Sequence, residues 1–384
     1  MRLDSPIYLD YNGTTPIDPL VVEAIMPYLT EHFGNPSSGH AYGLAAHEAM
    51  DKARVQVAAL ISSSPNEIVF TAGGSESDNL AIQGVGIALR ERGSHIITQQ
   101  TEHPAVLETC RYLETRFGFH VTYLPVDING LVNPTALEAA ITPQTVLVTI
   151  MHANNETGVI QPISHLAAIA RAKGVLFHTD AAQSVGKIPV NVDELGVDLL
   201  AIAAHKLYAP KGIGALYVRA GTPLDPVVHG AGQEAGRRAG TENVAYMVGL
   251  GAACRLAHEK LASDTTARIQ ELRDRLQRRL AAGGWALNGH PTQRLPNTLN
   301  MSFTGLDGDE ILAHAPGIAA STGAACHAGR TEPSAVLLAM GIPYDQALGA
   351  VRLTLGRWST EEQVDRAARE LQKAVAALST KIAP

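Results

Sequence analysis

Short apolar runs alternate with helical stretches through residues 65–220 of this chain. The apolar runs are rich in β-branched residues, and they predict strands at 68–70, 95–98, 121–124, 145–151, 175–178, 199–202 and 215–218. Runs that are apolar on both faces and separated by helices are typical of a mostly parallel sheet covered on both sides. We therefore expect an α/β fold whose ligand lies beyond the carboxyl ends of the strands.

The two ends of the chain follow a different pattern. Apolar residues at helical spacing predict amphipathic helices at 267–280 and 361–378, with a strand at 298–303 between them. The length of 384 residues also suggests about two domains. We expect a large domain of residues 15–255 and a small α+β domain made from residues 1–14 and 256–384.

Composition and charge exclude several classes of protein. Hydrophobic residues make up 46%, enough for two cores, and the net charge of −7 argues against a nucleic-acid partner. No apolar run is long enough for a transmembrane helix, and the first residues lack the apolar stretch of a signal peptide. Three cysteines without a close pair, and histidines without ligand spacing, argue against disulfides and metals. We expect a cytoplasmic protein with no membrane partner.

Two charged residues stand at the ends of neighbouring predicted strands. Asp180 follows the strand at 175–178, and Lys206 follows the strand at 199–202. An aspartate can hold a protonated pyridine nitrogen and a lysine can form an imine, which is what pyridoxal phosphate (PLP) requires of a protein. Neither residue is informative alone, but the pair in this order predicts a PLP site. Lys211 is the alternative candidate for the lysine that forms the imine.

Residues 71–79 read Thr-Ala-Gly-Gly-Ser-Glu-Ser-Asp-Asn and join a predicted strand to a helix. The glycines let the backbone approach a ligand, and the free N–H groups of the first helical turn attract an anion. By itself the motif is explained about as well by an ordinary turn with Ser75 as N-cap. Beside Asp180 and Lys206, we interpret it as a phosphate site that includes Gly74 and Ser75.

Together these motifs resemble the class V aminotransferase family of PLP enzymes, and within it the cysteine desulfurases and selenocysteine lyases. The resemblance implies the PLP-dependent transferase fold of aspartate aminotransferase, with a large, mostly parallel-sheet domain and a small α+β domain, as a homodimer. It implies that the cofactor is PLP and that these residues bind it: Gly74, Ser75, His103, Asn155, Asp180, Gln183, His205, Lys206 and Thr241.

The resemblance also implies a role for each of these side chains. His103 would stack on the cofactor ring and shuttle protons, a task suited to an imidazole. Asn155 and Gln183 would hydrogen-bond the ring hydroxyl. His205 would bind the phosphate, and Thr241 would reach the partner subunit's phosphate.

Two further residues are implied to bind the substrate. Arg352 matches the family arginine that grips the substrate carboxylate, which a guanidinium can hold through two hydrogen bonds. Asn35 matches a second substrate contact. Arg357 competes with Arg352 for this role, but we expect it to face solvent.

Residues 321–329 read Ser-Thr-Gly-Ala-Ala-Cys-His-Ala-Gly. The family's nucleophilic cysteine lies in a Ser-x-Gly-x-Ala-Cys setting, which Cys326 matches. A thiolate is the effective nucleophile, and a protonated His327 could lower the pKa of this thiol. The alternative role of a free cysteine, a small buried hydrophobe, better suits Cys110 and Cys254, which lie in helical patterns.

The resemblance therefore implies a PLP-dependent cysteine desulfurase. It would convert L-cysteine to L-alanine and leave a persulfide on Cys326 for a sulfur-acceptor protein, as in iron–sulfur cluster assembly. The alternative is a selenocysteine lyase acting on L-selenocysteine. It is favoured by the run around Cys326 and by Ala203, where many desulfurases have a phosphate-binding serine. Cys326 and the loop around it argue against a third interpretation, a class V aminotransferase that aminates a keto acid. The presence of Lys206, Asp180 and Cys326 together argues against a fourth, a non-catalytic scaffold for sulfur transfer.

Overall fold

The computed structural model describes residues 5–323, 326–327 and 330–382, with side chains described for 5–323 and 332–380. In this part of the chain the α-helices are α1 (Pro19–Thr30), α2 (Ala41–Leu60), α3 (Gly74–Ala88), α4 (Pro104–Phe117), α5 (Pro134–Ala140), α6 (Ile163–Ala172), α7 (Val192–Leu195), α8 (Val244–Leu261), α9 (Thr265–Ala281), α10 (Gly308–Ala313), α11 (Ala335–Ala339), α12 (Tyr344–Leu348) and α13 (Glu361–Ile382). The strands are β1 (Ile7–Tyr8), β2 (Ile68–Thr71), β3 (His95–Gln99), β4 (His120–Leu124), β5 (Thr145–Thr149), β6 (Leu176–Asp180), β7 (Leu199–Ala203), β8 (Gly214–Val218), β9 (Ala286–Leu287), β10 (Thr298–Ser302), β11 (Ile318–Ala319), β12 (Cys326–His327), β13 (Arg330–Thr331) and β14 (Ala350–Thr354).

A seven-stranded sheet forms the centre of the described region, in the order β2-β8-β7-β6-β5-β3-β4. Strand β8 runs antiparallel to both of its neighbours, and the other pairings are parallel. Strands β3, β5, β7 and β8 are buried at every position, as expected for a sheet covered by helices on both faces. The predicted α/β fold with a mostly parallel sheet is confirmed.

The order of the strands places the two predicted PLP residues side by side. Strand β6 pairs with β7, and Asp180, the last residue of β6, lies opposite Ala201. Directly after β7, a 3₁₀ turn at Ala204–Lys206 carries the lysine. Because carboxyl ends of parallel strands meet at one edge of the sheet, Asp180 and Lys206 share that edge.

The segment before α3 has the backbone that an anion site needs. Gly73 adopts a φ of 154°, a conformation that glycine reaches without the strain of a side chain. Helix α3 begins at Gly74, so Ser75 lies inside its first turn and is not its N-cap. The first N–H groups of a helix have no acceptor within the helix and remain available to a ligand.

A second hydrophobic core joins the two ends of the chain. Strand β1 pairs in parallel with β11, and β10 lies between β14 and β9. The apolar side chains of β1, β10 and β14 pack in one buried cluster with those of α9 and α13.

The division of the chain into a large domain of residues 15–255 and a small domain stays a prediction. The end of α8 packs in the core of the large sheet through Leu256 and Ala257, so residue 255 falls inside a helix.

Within the described residues, no helix is both long enough and apolar enough to cross a membrane.

Candidate active site

A cavity of about 750 Å³ opens at the carboxyl ends of β6 and β7, and we call it the strand-end cavity. It is lined by side chains from the sheet, from the start of α3 and from the N-terminal segment 12–14. Most of the residues predicted to bind cofactor or substrate lie on its wall, namely Gly74, Ser75, His103, Asn155, Asp180, Gln183, His205, Lys206 and Arg352. The rival lysine, Lys211, also lines it.

The Lys206 amine is held by the first segment of the chain. Its Nζ donates a hydrogen bond to the main-chain oxygen of Gly13, at 2.5 Å, and another to that of Asn12. Burial lowers the pKa of Lys206 to about 8, and the positive charge of Arg352 adds to this shift. About a tenth of the amine is therefore uncharged at pH 7, far more than for an ordinary lysine, and the uncharged form is the nucleophile.

Asp180 presents its carboxyl group to the same cavity. One oxygen, Oδ1, accepts a hydrogen bond from the N–H of Ala182 at 2.8 Å. Burial raises the pKa of Asp180, whereas this N–H bond, His103 and Lys206 each lower it. Burial is the largest of these effects, so the pKa of Asp180 is raised overall. A cationic ring nitrogen placed against the carboxylate would oppose this shift, since an opposite charge favours the ionised form.

A buried polar cluster that the sequence did not reveal lies next to Asp180. Asp78 lines the cavity wall 3.6 Å from Nε2 of His178, and Glu102 accepts a hydrogen bond from Gln99 at 2.9 Å. Burial raises the pKa of Asp78 well above its usual value and that of Glu102 to about 8, and Asp180 adds to both shifts. Burial therefore favours the neutral forms of Asp78 and Glu102, whereas Asp180 has two basic side chains, His103 and Lys206, that lower its pKa against the effect of burial.

Gly74, Ala203 and His205 line the part of the cavity where the sequence predicts the phosphate. A side chain added at Gly74 would place its Cβ 3.1 Å from the Cβ of Ala203, so the wall is narrow here. The ring of His205 contacts the Thr14 hydroxyl through Nδ1, at 3.1 Å, which leaves Nε2 for the cavity. Burial lowers the pKa of His205 to about 4, with Lys206 contributing to the shift. Ala203 supplies only a methyl group at the position where many related desulfurases have a phosphate-binding serine.

His103 is positioned by the helix that it begins. As N-cap of α4, it accepts the Ala105 N–H at Nδ1, at 3.1 Å. In the neutral ring the proton therefore resides on Nε2. Burial lowers the pKa of His103, Asp180 opposes this shift, and Lys206 supports it. A neutral imidazole on the cavity wall can exchange a proton near neutral pH.

Asn12 connects more parts of the site than any residue named from the sequence. Its side-chain Nδ2 donates to the main-chain oxygen of Asn155, at 3.1 Å, and to the Thr298 hydroxyl, at 2.9 Å. Its main-chain oxygen accepts from Lys206 and also from Gln183 Nε2, at 3.1 Å. One buried residue thus links the reactive lysine, through its main chain, to β10 of the second core, through its side chain.

The predicted carboxylate-binding arginine already contacts a carboxylate of its own chain. Arg352, on β14, donates from Nη2 to Asp10 Oδ1 at 2.7 Å, and from Nη1 to the main-chain oxygen of Asn155 at 3.2 Å. Its Nε is buried without a hydrogen-bond partner. A substrate carboxylate could bind here by sharing the guanidinium with Asp10, which the sequence did not identify.

Glu156 lies next to residues on either side of the segment that carries Cys326. The Ser334 hydroxyl donates to Glu156 Oε2, and a side chain at Gly323 would place its Cβ 2.5 Å from the same oxygen. Burial raises the pKa of Glu156 to about 7. The Cys326 backbone pairs with Thr331 in the hairpin of β12 and β13. The Cys326 thiol lies outside the described side chains, so its role stays a prediction.

Two other predicted residues lie away from the strand-end cavity. Asn35 accepts the Ser37 N–H at 2.9 Å in an exposed turn. Thr241 lines a small neighbouring pocket, which shares Ala72, Gly212 and Ile213 with the cavity. Their proposed roles are not tested by this geometry.

The expectation that Arg357 faces solvent is wrong. Its guanidinium bonds Asp18 at 2.8 Å and lies 3.6 Å from the centre of the Tyr208 ring, with 11% of the side chain exposed. It therefore stabilises the packing between the chain ends and is not available to a substrate.

The residues present fit PLP. The cavity has an amine of lowered pKa in Lys206, a carboxylate in Asp180 and helical N–H groups at Gly74, which match the carbonyl, ring nitrogen and phosphate of that cofactor. Glu76, whose charge would oppose a phosphate, is paired with Arg238 at 2.7 Å.

Comparison with known proteins agrees with this arrangement. The sequence model described as aminotransferase class-V matches residues 7–367. The chain belongs to this family. A class-V relative, the cysteine desulfurase IscS of Dictyoglomus turgidum (strain DSM 6724 / Z-1310), is 48% identical over 378 residues, covering 97% of this chain and 95% of that protein. The resemblance to the class-V family expected from the motifs is confirmed.

Solved structures of the class-V type share the fold. A NifS-like protein is 38% identical with a TM-score of 0.91, covering 97% of this chain and 99% of that one. SspA in complex with cysteine is also 38% identical, with a TM-score of 0.81, covering 92% of this chain and 99% of that one. PLP is therefore implied here as a property of the class-V family.

The lowered pKa of Lys206 predicts how cofactor attachment depends on pH. Below about pH 8 the amine is mostly protonated and cannot attack the PLP carbonyl, so attachment should accelerate as pH rises and level off above pH 8. The measurement is the rate at which a visible absorption band appears after PLP is added to the apoprotein. Lys206→Ala should show no band, and Lys211→Ala, the control, should behave like the wild type. Loss of the band in Lys211→Ala alone would move the attachment to Lys211.

Proposed function

We propose that this protein is a PLP-dependent cysteine desulfurase, which converts L-cysteine to L-alanine and holds the sulfur as a persulfide on Cys326. The observation that carries the proposal is the meeting of Lys206, Asp180 and Arg352 on the wall of one cavity. The cysteine desulfurase relative spans nearly all of this chain, and a solved relative is a complex with cysteine. Both support the substrate.

When bound at this site, PLP would supply an electron sink for the charge left at the substrate α-carbon. Lys206 would hold the cofactor until the amino group of cysteine replaces it, and its freed Nζ would then accept the α-proton. Asp180 would keep the ring nitrogen protonated by holding a negative charge beside it. His103, with its proton on Nε2, would donate or accept protons at the cavity wall.

Substrate binding would rest on Arg352. Its guanidinium is fixed by Asp10 and by the carbonyl oxygen of Asn155, so its orientation is determined before a substrate arrives. A preorganised guanidinium loses little entropy when it takes a carboxylate. The α-amino group of cysteine would then lie toward Lys206.

The sulfur step would use Cys326 as its thiolate. The thiolate attacks the substrate sulfur, an S–S bond forms and the C–S bond breaks. The electron pair of that bond passes to the β-carbon, which takes up a proton to give alanine. The product on the enzyme is a persulfide, which a sulfur-acceptor protein must remove before the next turnover. We place this reaction in a reducing compartment, the cytoplasm, because free thiols such as that of Cys326 stay reduced there.

A selenocysteine lyase is the second candidate. Ala203 favours it, since this methyl group lies against Gly74 at the predicted phosphate end and offers no hydroxyl. Both activities would use Lys206 and Asp180. They differ in how the sulfur or selenium atom leaves the substrate.

We also propose a homodimer with sites at its interface. The apolar side chains at the start of the chain support a partner surface, because monomers rarely expose large apolar patches. Between 50% and 70% of the surface of each is exposed for Leu20, Met26, Leu29, Phe33, Tyr42 and Leu44. Thr241 would reach the phosphate of the partner's cofactor.

Asp180→Asn should keep PLP but remove the α-proton more slowly. Loss of the charge-assisted bond to the ring nitrogen, about 1.5–3 kcal/mol, corresponds to a slowing of roughly 10- to 150-fold. The rate can be followed by NMR as the exchange of the α-hydrogen of L-alanine in D₂O, which involves no sulfur chemistry. Cofactor content, measured after alkaline denaturation, is the control. An exchange rate equal to the wild type's would contradict the role of Asp180.

Cys326→Ala should separate the two candidate substrates. The cofactor chemistry needs no thiol, so the variant should bind PLP and substrate. Cysteine sulfur leaves poorly without a thiolate to accept it, and alanine release from cysteine should fall to background. A selenol is more acidic and its carbon bond weaker, so we expect appreciable activity on selenocysteine. The measurement is alanine produced from each substrate, with Cys110→Ala as control. Undiminished desulfuration of cysteine would reject Cys326 as nucleophile.

The shared site can be tested with mixed dimers of Lys206→Ala and Thr241→Ala chains. Each variant alone should be impaired. If Thr241 acts across the interface, one site of the mixed dimer contains both native residues and should recover up to half of the activity per site. Mixing should restore nothing if Thr241 acts within its own chain, and sedimentation of the wild type as a monomer would reject the dimer itself.

A further inference from the structure

The Gln183 amide is fixed at both of its ends. Its Nε2 donates to the main-chain oxygen of Asn12 at 3.1 Å, and its Oε1 accepts from Lys187 Nζ at 2.7 Å. A main-chain oxygen can only accept, and the lysine amine supplies the donor on the other side. The two contacts therefore determine which end of the amide carries the N–H groups. One N–H of Nε2 is used by Asn12, which leaves the second for an acceptor in the cavity.

Lys187 itself lies behind the wall of the strand-end cavity. Gln183 and Asn12 line the cavity, and Lys187 contacts both of them without lining it. Its Nζ also donates to Asn12 Oδ1 at 2.9 Å. This contact is well determined, because Nδ2 of the same Asn12 amide donates to Asn155 and Thr298.

The two hydrogen bonds of the Lys187 amine go to amides and not to carboxylates. Among the side chains that the structure describes, no carboxylate forms an ion pair with Lys187. Burial, together with the positive charges of Lys206 and Arg352, lowers its pKa well below the usual value. A buried lysine without a counter-ion is costly. The hydrogen bonds that Lys187 donates to Gln183 and Asn12 indicate its role in the protein.

We infer that Lys187 is a positioning residue, which holds the Gln183 amide so that an N–H faces the phenolic oxygen of bound PLP. The inference rests on the proposed PLP site. A neutral or a charged Lys187 can make both hydrogen bonds, since either form has at least two N–H groups. Without Lys187, the Gln183 Oε1 would lose its partner, and the amide would be anchored at one end only. Lys187 would thus act on the cofactor through Gln183, without touching it.

The colour of the bound cofactor reports this contact. An N–H that donates to the phenolic oxygen stabilises the anionic form of that oxygen. The anionic oxygen then attracts the neighbouring proton less strongly, so the proton is lost more easily. The pH at which the visible band changes should therefore be lower when Lys187 holds the Gln183 amide in this orientation than when it does not. Lys187→Met, which keeps the length of the side chain, should raise the midpoint of this spectroscopic titration by about one pH unit. Lys187→Arg should restore most of the wild-type midpoint. Should Lys187→Met not fold, Lys187→Leu, which also lacks an N–H donor, replaces it.

A double-mutant cycle separates positioning from direct electrostatics. In a Gln183→Ala background, Lys187→Met should shift the midpoint by less than about 0.3 pH unit, because the intermediary is absent. An equal shift in both backgrounds would show that Lys187 acts by its charge alone and would overturn the inference, as would no shift in either.

A second readout keeps this inference distinct from the proposed function. If the wild type forms no visible band with PLP, the proposed function fails. The hold of Lys187 on Gln183 is then tested in the apoprotein, through the side-chain amide NMR signals of Gln183, assigned with Gln183→Ala. Lys187→Met should move these signals, and unchanged signals would overturn the inference.

Discussion

The hydrogen bonds from Lys206 Nζ to the carbonyl oxygens of Asn12 and Gly13 tie the edge of the large sheet to the beginning of the chain. The same Asn12 bonds Thr298 of β10, and its backbone N–H donates to the Thr354 hydroxyl of β14 at 3.0 Å. Both strands belong to the second core. The reactive lysine is thus placed by contacts from both hydrophobic cores, and a change in their relative position would move the amine with respect to Asp180.

Charge within the cavity is arranged by burial and by neighbours. Three carboxyl groups, on Asp78, Glu102 and Asp180, influence one another, and two like charges so close would be costly in a dry interior. His103 and Lys206 lower the pKa of Asp180 and so oppose the effect of its burial. On the opposite side, Arg352 and burial lower the pKa of Lys206. An ionised aspartate and a partly neutral lysine at neutral pH are what the proposed chemistry needs.

The sequence predicted the parts of the site that follow directly from strands. Apolar runs mark the sheet because its strands are buried on both faces, and Asp180 and Lys206 lie within a few residues of strand ends. The partners of these residues could not be predicted from local pattern. Lys206 and Asn12 are 194 positions apart, and Arg352 and Asp10 are 342 apart, so only the folded chain brings them together. Nothing in the local pattern marked Asp10 or Lys187.

The proposed chemistry is tested most directly by identifying the cysteine that receives the sulfur of the substrate. The thiols of Cys110 and Cys254 are buried, and burial raises the pKa of each, which makes both poor nucleophiles. The measurement is peptide mass spectrometry of the PLP-loaded wild type after brief exposure to L-cysteine without a reductant. The account predicts one additional sulfur atom on the peptide that contains Cys326 and unmodified Cys110 and Cys254. Additional sulfur on Cys110 or Cys254, with Cys326 unmodified while alanine accumulates, would contradict it.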